Sequence, residues 1–63
     1  MPEPINFTVR IITGRNDGGY IRVSEQPDGQ LQLIMESKTG ALITTDTIPA
    51  PQLAQWIHDH RDW

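Results

Sequence analysis

Cysteine is absent from this 63-residue chain, and aromatic residues make up only 6% of it. Without cysteine, the chain has neither disulfides nor thiolate zinc sites to stabilise its fold. A chain of this length buries only about 60% of the surface that its unfolded form exposes, so its core is marginal. We therefore predict a single small domain over residues 1–63, for which self-association or histidine and carboxylate ligands are the remaining sources of extra stability.

Basic residues and long apolar runs are also scarce. Five Lys and Arg stand against eight Asp and Glu, giving a net charge of −3. This balance disfavours general binding to a phosphate backbone, because that affinity comes from cations that displace counterions. No apolar run approaches the ~20 residues of a membrane span, and the start, MPEPINFTVR, lacks the basic and then apolar pattern of a secretory signal. We expect a cytoplasmic protein without a membrane partner.

Three glycine-containing segments divide the chain into four candidate strands. Glycine follows polar, turn-forming residues in GRNDGGY, QPDGQ and SKTGA, where we expect the backbone to adopt positive φ. The runs between these turns are rich in β-branched and aromatic residues: INFTVRIIT, YIRVSE, LQLIMES and ALITTDT. Short connections between such runs predict a four-stranded antiparallel meander.

The last segment, APQLAQWIHDHRDW, changes to a helical period. The i, i+3, i+4, i+7 spacing of one helix face is occupied by Leu53, Trp56, Ile57 and His60. A helix of about three turns is marginal in isolation, so we expect it to form by docking this stripe on the sheet. The predicted fold is α+β, a four-stranded antiparallel meander followed by one C-terminal helix packed on one sheet face (ββββα).

The alignment of apolar residues predicts which side chains the helix covers, because cross-strand neighbours share a face. We predict that Ile11 pairs with Ile21, Ile21 with Leu33, and Leu33 with Ile43. The next row of this core face then contains Val9, Val23, Leu31 and Thr45.

The opposite face is predicted to have no second layer. Its first row contains Ile12, Tyr20, Ile34 and Leu42, and its second row contains Arg10, Arg22, Gln32 and Thr44. Contiguous exposed apolar residues tend to mark interfaces, whereas single exposed apolar residues are ordinary on a protein surface. We take the first interpretation, and the candidate binding residues are Ile12, Tyr20, Ile34, Leu42, Arg10, Arg22 and Gln32.

This alignment also places Arg10 beside Arg22. Like charges directly opposite each other destabilise a sheet. An anionic partner would relieve the repulsion, and so would a carboxylate of the same chain, for which the candidates are Glu25, Glu36 and Asp46.

The terminal HDHRDW has the composition of a metal or catalytic site. His58 and His60 are two residues apart, so on a helix they point to different sides. His58 and Asp62 are four apart and within contact, but a stable site needs three or four ligands. A histidine needs an adjacent nucleophile or carboxylate to act in catalysis, and the residue spacing places no serine, threonine or acid beside His60. We predict no metal, no cofactor and no catalytic residue, and we interpret the segment as a helix end with His60 partly buried.

The order of elements, four meandering strands and then one helix, resembles the single-strand-binding fold of the transcriptional positive-cofactor-four family. Members of that family pair as dimers and bind unpaired nucleic acid on their sheets. The resemblance covers most of the chain and rests on element order. It implies a surface on which Tyr20 stacks on a base while Arg10 and Arg22 hold phosphates.

Two functions follow from these patterns. The first is a small non-enzymatic protein-interaction module of the regulator or inhibitor type, self-associating as a dimer and binding through the uncovered sheet face. The alternative is a single-stranded nucleic-acid binding protein that uses Tyr20, Arg10 and Arg22 on the same face.

Overall fold

The structure, a computed structural model, describes residues 3–61. It contains one antiparallel sheet with the strand order β1-β2-β3-β4, followed by a helix. The strands are β1 (Asn6–Arg10), β2 (Tyr20–Glu25), β3 (Gln30–Glu36) and β4 (Leu42–Pro49); a 3-10 turn (Ala50–Gln52) then leads into α1 (Leu53–Arg61). The predicted meander and C-terminal helix are confirmed.

Glycine permits the two tight turns of the meander. Gly29, between β2 and β3, has a φ of +86°, and Gly40, between β3 and β4, has a φ of +87°. This left-handed region costs a glycine little, whereas a side chain would be strained there. The amide of Gly29 donates to the carbonyl of Gln26, and that of Gly40 donates to the carbonyl of Ser37, each at 2.9 Å.

The core lies between α1 and one face of the sheet. Trp56 of α1 is buried, and its Nε1 donates a hydrogen bond to Oδ2 of Asp46 on β4 at 3.0 Å. The helix is thereby joined to the sheet by both packing and a polar contact. The buried core consists of Ile11, Ile21, Val23, Leu31, Leu33, Met35, Ile48 and Trp56, with Val9, Ile43, Leu53 and Ile57 partly buried against it.

The C-terminal end of α1 is held by the loop between β1 and β2. The side-chain Nδ2 of Asn16 donates to the carbonyls of His60 at 2.9 Å and Arg61 at 3.2 Å. The backbone amide of Asn16 also donates to the carbonyl of Arg61 at 3.2 Å. The last carbonyls of a helix have no partner within the helix, so Asn16 supplies hydrogen bonds that the helix cannot make for itself.

The predicted pairing of the first three strands is wrong by two residues, although the side chains within β1, β2 and β3 keep their predicted faces. Ile21 pairs with Val9 and with Met35 instead of with Ile11 and Leu33. The turns cause the difference, because the β2–β3 turn is closed by Gln26 and Gln30. An even shift preserves which side of a strand each residue faces.

In β4 the predicted pairing is wrong by three residues, and this odd shift inverts most of the strand. Leu33 pairs with Asp46 instead of with Ile43, and Thr45 lies on the side away from the helix. A bulge near Met35 and Glu36 takes up one extra residue. Ile43 and Ile48 are five positions apart, so strict alternation would put them on opposite faces; the bulge lets both pack on the core.

Replacing Asn16 with alanine should remove both side-chain hydrogen bonds to the end of α1, while the backbone amide of residue 16 still donates to the carbonyl of Arg61. We expect the free energy of unfolding to fall by about 1–2 kcal/mol, the net contribution of the lost hydrogen bonds. Amide hydrogen exchange in the last turn of α1 should accelerate more than exchange in β2 and β3. Asp17→Ala, which changes the exposed neighbour in the same loop, is the control; an equal effect of the two substitutions would mean that Asn16 does not secure the helix.

Candidate interaction surface

The sheet face that points away from α1, called the open face below, is covered by no element of residues 3–61. Pairing across the strands arranges it in three rows. The rows are Arg10, Tyr20, Glu36 and Leu42; Thr8, Arg22, Ile34 and Thr45; and Asn6, Ser24, Gln32 and Thr47.

Three apolar side chains come together at one end of the open face, and we call them the open-face cluster: Tyr20, Ile34 and Leu42. Tyr20 is 39% exposed and Leu42 is 66% exposed, while Ile34 is half-buried. They do not form the single row predicted from the sequence, because Glu36 lies between Tyr20 and Leu42 in the ladder. Ile34 is the diagonal neighbour of both Tyr20 and Leu42, a spacing that long and aromatic side chains still bridge.

The remaining predicted binding residues divide into two groups. Arg10, Arg22 and Gln32 lie on the open face as predicted. Ile12, predicted in the first row of this face, lies beyond the end of β1 and pairs with no strand; it is 79% exposed and lines a groove with Val9, Ile11 and Ile57. Thr44, predicted on this face, pairs with Met35 on the helix side, because the bulge inverts β4.

Arg10 does not lie directly opposite Arg22. Arg10 pairs with Tyr20, whereas Arg22 pairs with Thr8 on one side and Ile34 on the other. The Nε of Arg22 lies 3.2 Å from Oε1 of Glu36, so this chain itself supplies the anion for Arg22. An ion pair this exposed contributes at most about 1 kcal/mol to stability. The structure contains no salt bridge of Arg10 within residues 3–61.

The histidines at the end of α1 have structural contacts. The ring of His60 stacks on Trp56 with centroids 3.8 Å apart, and its Nδ1 lies 2.8 Å from the carbonyl oxygen of Trp56. The prediction that His60 is partly buried is confirmed. His58 Nδ1 lies 3.6 Å from Oδ1 of Asp59, and the predicted contact of His58 with Asp62 lies outside the described residues. Residues 3–61 contain no group of three metal-binding side chains.

A second apolar surface lies along β1 on the helix side, and sequence reasoning missed it. An open groove of about 120 Å³, called the edge groove below, is lined there by Val9, Arg10, Ile11, Ile12, Thr13, Ile57 and Arg61. At the other end of the strand, Ile5 is 39% exposed and Phe7 42% exposed. The sequence feature that could have indicated this surface is the alternation of apolar residues at positions 5, 7, 9 and 11. This apolar stripe is longer than the part of a strand that one short helix can cover.

Comparison with protein-family models, with curated proteins and with solved structures finds no match to this chain. The resemblance to the positive-cofactor-four family therefore remains one of element order. Among the described residues, no helix has the length and apolar character needed to cross a membrane.

The two faces of β3 should respond differently to a charge. Leu33 is fully buried, so Leu33→Glu should unfold the chain, because a buried unpaired carboxylate is far too costly for a small core. Ile34→Glu should leave the fold intact, since position 34 is on the open face and opposite Arg22. Circular dichroism and thermal melting compare the two variants. Equal unfolding of both would mean that the open face is buried in the folded protein.

Proposed function

We propose that this protein is a small non-enzymatic protein-interaction module of the regulator or inhibitor type, which acts in the cytoplasm, self-associates as a dimer and binds a protein partner through its open face. The observation that supports it is the open-face cluster. Tyr20 and Leu42 are large apolar side chains that remain exposed, each diagonal to half-buried Ile34. Apolar side chains grouped in this way on a sheet without a covering layer are typical of interaction surfaces.

The side chains around the open-face cluster define the chemistry of the partner. Fully burying a side chain such as Leu42 contributes about 1.5–3 kcal/mol, which favours an apolar centre on the partner. Arg10 flanks Tyr20 in the ladder and has no salt bridge within the described part of the chain. A carboxylate of the partner opposite Arg10 would complete the match, because complementary charges at the rim fix orientation and speed association.

Catalysis is left out of the proposal because of how the histidines are used. The ring of His60 is stacked on Trp56 and its Nδ1 lies at hydrogen-bond distance from a helix carbonyl. His58 is exposed on the outer side of α1 next to Asp59. Both histidines belong to α1 and not to the sheet. The open face contains apolar side chains, Asn6, threonines, Ser24, Gln32, the Arg22–Glu36 pair and Arg10.

A photoreactive benzophenone amino acid in place of Leu42 tests the proposal. When irradiated in cells of the source organism, it should attach to one protein partner, and the same label in place of Tyr20 should attach to the same partner. The substitution Leu42→Asp, combined with the label at Tyr20, should abolish the adduct, because a carboxylate is costly to bury in an interface.

The matched control carries the label in place of Gln55, an exposed residue of α1. The proposal predicts no adduct there. Equal labelling from Gln55, or no protein adduct from Leu42 and Tyr20, would contradict the open face as the binding surface.

Single-stranded nucleic-acid binding is the second candidate, and the position of Tyr20 favours it. Tyr20 pairs with Arg10 and is followed two residues later on the same face by Arg22. An exposed aromatic ring between two guanidinium groups is the arrangement on which bases stack and phosphates are held. The ion pair of Arg22 with Glu36 and the net charge of −3 disfavour it relative to a protein partner.

Titration with a fluorescently labelled oligothymidine separates the two candidates. A nucleic-acid binder should bind tightly at low salt and lose affinity as salt rises, because binding through arginines releases counterions. Tyr20→Ala should then weaken binding, since stacking contributes about 1–3 kcal/mol per base. The interaction module predicts no saturable binding at low salt. Saturable, salt-sensitive binding that is lost in Tyr20→Ala would favour the second candidate.

A further inference from the structure

The outer edge of β1 presents unpaired backbone groups. At one end of the strand the amide of Glu25 donates to the carbonyl of Ile5, and at the other end the amide of Ile11 donates to the carbonyl of Gly19. Hydrogen bonding alternates along an antiparallel pair, so the odd-numbered residues bond to β2. The amides and carbonyls of the even-numbered residues of β1 therefore point away from the sheet, and these residues are Asn6, Thr8 and Arg10.

The helix-side face of the same strand is apolar and only partly covered. Phe7 shares this face with buried Val23, its partner in the ladder. The C-terminal end of α1 lies over the other end of β1, where Ile57 and Ile11 line the edge groove. One end of β1 thus has exposed apolar side chains, and the other end has an open apolar groove.

We infer that two copies of this chain associate through β1, antiparallel about a twofold axis at Thr8, and so join their two sheets into one continuous sheet. In this register, Thr8 pairs with Thr8 of the second copy, and Asn6 pairs with its Arg10. The outward backbone groups of the even-numbered residues then bond to each other. Pro4 has no amide hydrogen, so the ladder ends just beyond Asn6.

The same register puts the exposed apolar side chains beside the edge groove. Phe7 of one copy lies across from Val9 of the other, and Ile5 lies across from Ile11, all on the helix side. Val9 and Ile11 line the groove, so the side chains that remain exposed in one copy are covered by the groove of the other. An aromatic residue beside a β-branched one is a favourable cross-strand pair, and the twofold axis forms each contact twice.

The charges at the two ends of β1 also match in an antiparallel pair. Glu3 precedes the strand. Glu25 lies next to Ile5, and the amide of Ile5 donates a hydrogen bond to Oε1 of Glu25 at 3.0 Å. At the other end, Arg10 of the strand and Arg61 both line the edge groove. Antiparallel pairing brings the acidic end of one copy against the basic end of the other, whereas parallel pairing would bring like charges together.

The other edge of the sheet is less suited to pairing. β4 ends in Pro49, carries the charged Asp46 and contains the bulge opposite Met35 and Glu36. Proline, charges and bulges are the features that keep an edge strand from adding another strand. β1 has none of them between Asn6 and Thr8, and only Arg10 is charged.

This inference rests on the self-association included in the proposed function, and it assigns that association to the edge of β1. The two fail separately. Pairing through β1 changes the mass of the particle, whereas partner binding through the open face is read from the adducts at Leu42 and Tyr20.

Thr8→Pro tests the inference, because it removes an outward amide hydrogen without removing a hydrogen bond to β2. Wild-type protein should have twice the mass of one chain in light scattering coupled to size-exclusion chromatography. Thr8→Pro should have the mass of one chain, with an unchanged circular dichroism spectrum. A Thr8→Pro variant that is folded and still dimeric would overturn the pairing through β1 and leave the self-association of the proposed function in place. A monomeric wild-type protein would overturn both the pairing and the self-association, but not partner binding through the open face.

If Thr8→Pro does not fold, the variant Thr8→Cys tests whether two copies pair through β1. The chain has no cysteine, and the Cα atoms of a hydrogen-bonded pair are about 5.5 Å apart, within the range of a disulfide. Mild oxidation should link Thr8→Cys into a covalent dimer much faster than Thr47→Cys, an exposed position on the same face of β4. Equal or faster linkage of Thr47→Cys would exclude pairing through β1.

Discussion

The contact between Trp56 and the sheet determines the layout of this protein. Nine residues of α1 are too few for a stable helix in isolation, so the helix depends on the burial of Trp56 and on its hydrogen bond to Asp46. Because the chain has only this one helix within residues 3–61, docking it on one face leaves the other face open. The same docking directs the end of α1 towards the first loop, where Asn16 holds its last carbonyls.

The bulge in the last hairpin determines which side chains the open face displays. It lets Ile43 and Ile48 both contribute to the core, although their spacing is odd. On the open face it leaves Leu42 beside Glu36 and puts Thr45 beside Ile34. Glu36 lies between Tyr20 and Leu42 because of the register of the β2–β3 hairpin, so the Arg22–Glu36 ion pair crosses the apolar cluster.

Alternation along each strand was enough to predict the faces of Ile21, Val23 and Leu33, because an error of two residues in pairing does not turn a side chain over. Alternation was not enough to predict the cross-strand partner of each residue, because those partners depend on where each turn closes and on the bulge. The site shows the same division. Tyr20, Ile34 and Leu42 share the predicted face, but the pairing of Arg22 with Glu36 depends on the true register. The edge groove depends on the direction in which α1 crosses the sheet, and the periodicity of apolar residues does not predict that direction.

The hydrogen bond from Asn16 to His60 joins residues 44 positions apart. During synthesis on the ribosome, the β1–β2 loop emerges long before the end of α1. The hydrogen bonds from Asn16 to the helix therefore cannot form until α1 has been made. Until then, the apolar side of the nascent sheet is exposed to other chains and to chaperones. Contacts so distant in sequence slow folding, and the exposed interval therefore ends only when α1 has left the exit tunnel and reached both Asp46 and Asn16.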